Sequence, residues 1–253
     1  MEPDTHIAPG GGAFPQTHWS AVRTVRDGDA TGTDRAWGLI IAAYWKPVYK
    51  YIRIQWNKSN EDAKDLTQGF FERAMEREFF RSYDPARSRF RTFLRVCLNR
   101  YLSNDDQASS RQKRGGDAAL LALNADEAEG ELAHALASSA RDPDTYFEDE
   151  WVRSLYTLAL EDLRLRYAEN GKKVRFELFR RYDLHDDSLI ERPTYAGLAR
   201  EFSLPATDVT NHLAAARREF RSIVLARLRE ICADEEEFRA EAAALLGPGA
   251  APR

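Results

Sequence analysis

The chain has 253 residues, 43% of them hydrophobic and 11% aromatic, with 37 Lys and Arg against 41 Asp and Glu for a formal net charge of -4. That much apolar material can build one large domain or two small ones, which excludes a wholly disordered chain. No apolar run approaches the roughly 20 residues a membrane span needs. The amino terminus shows no basic-then-apolar leader, so a cytoplasmic chain without a membrane partner is expected. Cys97 and Cys232, far apart in sequence, exclude a disulfide scaffold and a paired-cysteine metal module.

In chain order, residues 1–16 are rich in Gly and Pro and read as a disordered lead-in. Thr17 is placed to cap a short helix through Val25, which Asp27-Gly28-Asp29 ends. From Asp34 to Trp56 the apolar residues Trp37, Ile40, Ile41, Tyr44, Val48, Tyr51, Ile52 and Trp56 follow helical spacing, and Pro47 is expected to kink or divide that run. Ser59 stands three residues ahead of Asp62, a capped start for a helix reaching about Arg81. Tyr83-Asp84-Pro85 interrupts the chain. Ser88 then opens a helix carrying Phe90, Phe93, Leu94, Cys97, Leu98, Tyr101 and Leu102.

Beyond Leu102 the periodicity fades, and residues 103–145 read as an acidic linker with little to bury and short helical stretches at most. Trp151, Leu155, Leu158, Ala159 and Leu163 then stripe a helix, and Lys172 to Tyr182 forms another. No strand-like alternation of useful length appears. The expected fold class is all-α, in two small helical domains.

Charge is segregated along the chain. Arg73 to Arg114 holds eleven Arg and Lys against five acids, and Arg192 to Arg229 holds seven Arg against three acids. Between them, Asn124 to Glu150 carries nine acids and only Arg141. Two basic blocks around an acidic one suggest two nucleic-acid surfaces, the alternative being arginine-rich helices with solvated faces.

The most specific local pattern spans residues 192–224. A short helix from Tyr195 to Phe202 meets Ser203-Leu204-Pro205, which cannot continue it, and a longer helix follows from Ala206. Leu198 and Phe202 lie one turn apart, and Val209, Leu213, Ala216 and Phe220 repeat at helical spacing, as a helix-turn-helix requires. Ser203 stands where a glycine usually marks the turn. The outward face offers Thr207, Asp208, Thr210, Asn211, His212, Arg217, Arg218 and Arg221: hydroxyl and amide groups suited to base edges, then arginines suited to phosphates. The bland alternative is an ordinary amphipathic hairpin.

Three stretches together resemble the extracytoplasmic-function (ECF) sigma factors of bacterial RNA polymerase. Residues 61–77, EDAKDLTQGFFERAMER, are similar to sigma region 2.2; residues 83–107 resemble regions 2.3 and 2.4; residues 193–221 resemble region 4.2. Phe93 stands where the family commonly has Trp, and Thr210-Asn211-His212 where it commonly has a basic run, which bears on promoter preference. The resemblance implies a region 2-like domain at 17–114, an acidic linker at 115–145, a region 4-like domain at 146–232, and an acidic tail at 233–253. The tail extends beyond the two-domain minimum, as either a solvated helix or a regulatory element.

The resemblance further implies core RNA polymerase (β′ clamp, β flap) and promoter DNA as partners, with an anti-sigma factor or a Ser/Thr kinase acting at Ser59, Thr67 or a linker serine as regulators. Asp62, Asp65, Leu66, Gln68, Phe71, Glu72 and Arg73 would dock on the clamp. Arg87, Arg89, Arg91, Arg95, Asn99 and Arg100 would meet the minus-ten element, and the helix from Ala206 the minus-thirty-five element. The acidic linker is either a soluble tether or a nucleic-acid mimic that threads into the polymerase channel. Such a protein directs promoter-specific initiation and joins the nucleoid when active. It has no reaction of its own, no cofactor and no metal; the histidines are scattered, and Gly10-Gly11-Gly12 precedes no strand–helix pair. A helix-turn-helix regulator dimerising on an operator is the competing function, and a helical adaptor that avoids DNA is another.

Overall fold

The structure, a computed structural model, describes residues 20–27, 32–76, 79–109, 128–132, 142–184 and 193–250. Among these residues the secondary structure is helical, with no strand. The proposed Thr17 cap and the lead-in at 1–16 lie outside the described residues. Helix α1 covers Ala21–Asp27, and Ser20 Oγ accepts from the Arg23 amide at 3.4 Å. Helix α2 covers Thr33–Gln55 as one helix with Pro47 inside it, so the expected division at Pro47 does not occur. Proline costs a helix one amide hydrogen bond, but Pro47 sits on the buried face beside Val48 at 0% exposure, where packing holds the helix together.

Helix α3 covers Asn60–Glu76 and begins as its capping pattern predicts. Ser59 Oγ accepts from the Asp62 amide at 3.1 Å and donates to the Asp62 carboxylate at 2.7 Å. A 3-10 turn at Phe79–Ser82 leads to α4, Phe90–Ser109. Phe80 fixes this corner: it stacks on Trp37 at 5.0 Å and meets the edge of Phe90 at 5.0 Å.

Helix α5, Pro143–Glu169, starts on an Asp142 cap that accepts from the Thr145 amide at 3.0 Å, with proline in its first turn. It lies along α2, where Trp151 stacks on Tyr44 and Phe147 meets the edge of Tyr51. Helices α6 (Lys173–Asp183), α7 (Tyr195–Glu201), α8 (Ala206–Ile231) and α9 (Glu235–Leu246) follow. One apolar core runs from α1 through α5 into the carboxy-terminal half of α8 and α9, while a satellite of Leu178, Leu198, Val209 and Leu213 binds α6, α7 and α8. Helix α5 is thus shared: one side faces α2, the other faces Ile223, Val224 and Leu228 of α8.

Among the described residues, part of the acidic linker and the acidic tail are packed. Within the acidic linker, residues 128–132 are helical and bury Ala128 and Leu132, one turn apart, against this core. Their acids meet a basic stripe on α2: Glu129 pairs with Arg53 at 2.5 Å, and Glu131 with Lys46 at 2.9 Å and Lys50 at 2.5 Å. In the tail, Phe238 and Ala242, again one turn apart, are 1% and 0% exposed. Spacing of i and i+4 gives each segment a narrow apolar edge that a count of charges hides.

The linker contact has a pH signature. The Arg53 guanidinium holds the Glu129 carboxyl below the usual range; burial pushes Glu131 upward, but hydrogen bonds from Lys50 and Lys46 outweigh it and lower it too. Depressed carboxyls contribute stability above the unfolded value, about 4.3 for Glu, and lose it as pH falls through their folded values. The protection factor of the amides across 128–132, with the observed exchange referred to the intrinsic rate at each pH, should therefore be high at neutral pH and fall as the pH drops below about 4; a protection factor that persists unchanged at lower pH would contradict this docking.

Candidate polymerase and nucleic-acid interfaces

Helix α3 divides cleanly into two faces. Ala63, Thr67, Phe70, Phe71 and Ala74 are buried, while Asp62 and Asp65 are exposed and Leu66, Gln68, Glu72 and Arg73 half-buried at the rim. Gln68 Nε2 donates to Glu72 at 2.8 Å, which orders part of the outer face. Phe71 is a correction to the sequence reading. At 0% exposure and packed edge-on against Phe70 at 5.3 Å, it belongs to the core and cannot anchor a partner. Thr67 is buried as well, and its hydroxyl donates to the Ala63 carbonyl at 2.6 Å, so a kinase cannot reach it as it stands.

The arginines of α4 and of the turn that precedes it separate by face. Arg87 and Arg100 are exposed, Arg87 lying 3.2 Å from Asp84. Arg91 and Arg95, expected on the DNA side, turn toward α5 instead. Arg91 is 7% exposed, stacks over Trp151 at 4.8 Å and pairs with Glu241 and, at 3.7 Å, Glu148. Arg95 pairs with Asp144 at 2.6 Å. Asn99 accepts from the Tyr51 hydroxyl at 3.2 Å and is half-buried. The physical reason lies in α5 and α9: the acidic first turns of α5 offer Asp144 to Arg95 and Glu148 to Arg91, and the buried Glu241 of α9 completes the pairing of Arg91.

The opposite side of α4 forms a cleft of about 560 Å³, lined by Arg73, Arg81 and Arg100 with the rings of Phe79 and Tyr101. Arg73 lies 5.9 Å from the Tyr101 ring centre. Gly69 makes room for that ring, since a Cβ there would sit 2.6 Å from the Tyr101 hydroxyl. Cys97 lines the wall with its thiol pushed up to about 11 by burial, so it is not a nucleophile at neutral pH. Cations alternating with aromatic faces suit an unstacked nucleotide strand. Sequence reading placed Arg100 at the minus-ten element and Arg73 on the clamp face, and named none of Phe79, Arg81 and Tyr101 as site residues; for Phe79 and Arg81 the signal was the Phe-Phe-Arg turn between two arginine-bearing helices.

In the helix-turn-helix, Thr194 caps α7 by accepting from the Gly197 amide at 3.0 Å. Ser203 turns the chain with a left-handed φ of 52°, the conformation for which glycine is normally used. On α8, Thr207, Thr210, Asn211, Arg217, Arg218 and Arg221 are exposed and Asp208 and His212 half-buried. Thr210 donates back to the Ala206 carbonyl at 3.1 Å. His212 Nδ1 accepts from Arg175 at 3.2 Å, which ties its ring to α6. Arg217 is engaged by Asp183 at 2.8 Å and stacks on Tyr182, and Arg221 donates to the Leu246 carbonyl at 3.4 Å. Arg218 makes no ion pair among the described residues. Of the expected contacts, Thr207, Asn211 and Arg218 therefore present themselves most openly.

Among the described residues no helix is long and apolar enough to cross a membrane, and no group of His, Cys, Asp and Glu could hold a metal ion. A family model described as ECF sigma factor matches residues 17–169, which takes in α1 to α5 with the α3 face and the α4 cleft. No curated protein and no solved structure matches the chain. Members of this family are transcription initiation factors that partner with core RNA polymerase and promoter DNA, and often with anti-sigma factors. With more than half of its length matched and an all-helical fold ending in a helix-turn-helix, the chain belongs to the ECF sigma factor family, the alternative sigma factors that direct promoter-specific transcription.

Proposed function

We propose that three surfaces divide the work of initiation. The outer face of α3, with Asp62 and Asp65 leading, docks on the polymerase β′ clamp. The cleft beside α4 receives the displaced strand of the minus-ten element, and α8 enters the major groove at the minus-thirty-five element while its domain rests on the β flap. The chain catalyses nothing; it acts in the cytoplasm, at the nucleoid when active, and an anti-sigma factor is its expected regulator. Ser59, exposed at the α3 cap, is the site a kinase could reach among those considered in the described region. The observation that carries this reading is the cleft, where three arginines and two aromatic rings converge within reach of the exposed face of α3.

The cleft predicts a specific loss. Replacing Arg81 and Arg100 together with Ala should leave association with core polymerase intact and weaken single-stranded DNA binding. It should also lower the salt slope by about 0.7 per phosphate contact removed. Permanganate reactivity of promoter thymines reports melting directly. Normal reactivity in the double variant would move the strand-binding surface elsewhere.

Within α8, address and affinity should separate. Asn211→Ala is expected to change which upstream hexamers are selected from a randomised promoter library, since a good amide–base contact is worth about 1–3 kcal/mol of discrimination. Arg218→Ala should reduce occupancy across the library without altering the ranking, and lower the salt slope by about one ion. An unchanged ranking for Asn211→Ala would mean that α8 is rotated from this orientation.

A further inference from the structure

The tail helix α9 spans from the start of α4 to α8. Its amino-terminal half reaches α4: Glu237 Oε1 accepts from the Phe90 amide, the first of that helix, at 2.6 Å, and Oε2 accepts from the Tyr83 hydroxyl at 3.4 Å. One turn later Glu241, almost fully buried, pairs with Arg91 and lies 3.5 Å from Arg89. Phe238 between them is buried under the Arg229 guanidinium, 4.1 Å from its ring centre. At its far end α9 meets the other half of the molecule, where Leu246 accepts from Arg221 of α8 and Leu245 from Tyr156 of α5.

We propose that α9 is an intramolecular clamp, in which Glu237 and Glu241 occupy the helix-end amide and the arginines that would otherwise be offered to the DNA backbone. A helix amino terminus flanked by arginines is a phosphate-binding arrangement, and here two carboxylates one turn apart fill it. Distance supplies the second argument. Elements numbered minus ten and minus thirty-five lie about 25 base pairs apart, or about 80 Å at about 3.4 Å per base pair. Helix α9, with 12 residues, is about 18 Å long, yet it touches both α4 and α8. A bridge of that length holds the contact points on α4 and α8 close together, and separation of the two helices along the promoter is taken to require its release. Burial pushes the Glu237 carboxyl above its usual range despite the two amides it accepts from, so its charge is held there against a desolvation cost. The clamp rests on the reading above that α4 meets the minus-ten element, and adds to the cleft a second backbone contact at the amino-terminal end of that helix, on the side facing α9.

The test uses the full chain and a fluorescein-labelled single-stranded DNA of mixed sequence at low salt. Amide exchange across 235–246 reports release of the helix. Glu237→Gln with Glu241→Gln should accelerate that exchange and tighten DNA binding about 10-fold or more, as expected when a binding-competent form is a minor population. Glu236→Lys makes the same change in net charge on the exposed outer side of α9, away from the Glu235–Arg229 pair, and should give a far smaller gain. If the pair of carboxylate changes leaves the helix protected, Phe238→Ser removes its apolar anchor and the same two measurements are repeated. Faster exchange without tighter binding overturns the clamp, as does a helix that stays protected in both variants, or an equal gain from the charge-matched control. Adding Arg89→Ala to the released variant should cancel most of the gain; a gain that survives intact overturns the masking of this surface by α9 and leaves the cleft, tested separately through Arg81 and Arg100, standing.

Discussion

Lys50→Met is expected to destabilise the protein by about 3–5 kcal/mol, the cost of stranding a buried charge when its partner is removed. Lys50 is 0% exposed, and its ammonium sits 2.5 Å from Glu150 of α5 and 2.5 Å from Glu131 of the linker. Glu150 is itself 1% exposed, so it cannot regain water once the cation is gone. Arg153 reaches the other Glu150 oxygen from the solvent side and softens the loss without replacing the buried contact. Lys50→Met combined with Glu150→Leu should recover most of the stability, because a buried pair replaced by apolar groups of similar volume is often neutral. Urea midpoints followed by far-ultraviolet circular dichroism check both. A single variant that unfolds at the parental midpoint would mean that α5 does not close over α2 as described.

Asp65→Arg should abolish association with core polymerase while leaving the helical signal intact. Asp65 is exposed on the outer face of α3 and supports nothing beneath it, so a reversed charge there acts on a partner alone. Reversal in a desolvated contact costs about 2–5 kcal/mol, on the order of 30- to 5,000-fold in affinity. The contrast with Phe71 sharpens the test. Phe71→Ala should lower stability by about 3–5 kcal/mol as a core truncation, with polymerase affinity unchanged in the fraction that remains folded. Near-parental core binding by Asp65→Arg would remove α3 from the interface.

Much of this organisation is written in local patterns. The Ser59–Asp62 cap, the stripe on α5 and the Ser203-Leu204-Pro205 break each act within a few residues, so periodicity and turn chemistry locate them directly. What sequence could not show is which charges meet. Arg91 and Arg95 look like DNA ligands in a basic segment, yet the acids that neutralise them lie about 50 to 150 positions away in α5 and α9. Phe71 failed for a different reason: Phe70 and Phe71 are adjacent, and only the packing of α3 decides that both point inward. Conversely, the cleft beside α4 draws Phe79 from a turn and Tyr101 from the middle of α4, and nothing in their spacing announces that the two rings meet.

The central claim is that this chain gives core RNA polymerase a promoter address. Run-off transcription on a library of bacterial promoter fragments, with purified core enzyme and the full chain added, tests it most directly. The Glu237→Gln, Glu241→Gln variant run in parallel removes any restraint from α9. The account predicts discrete transcripts from a defined subset of fragments that vanish without the added chain and with Asp65→Arg. Absence of promoter-dependent transcripts from both forms, together with tight binding of a dimer to palindromic DNA in the absence of polymerase, would contradict it.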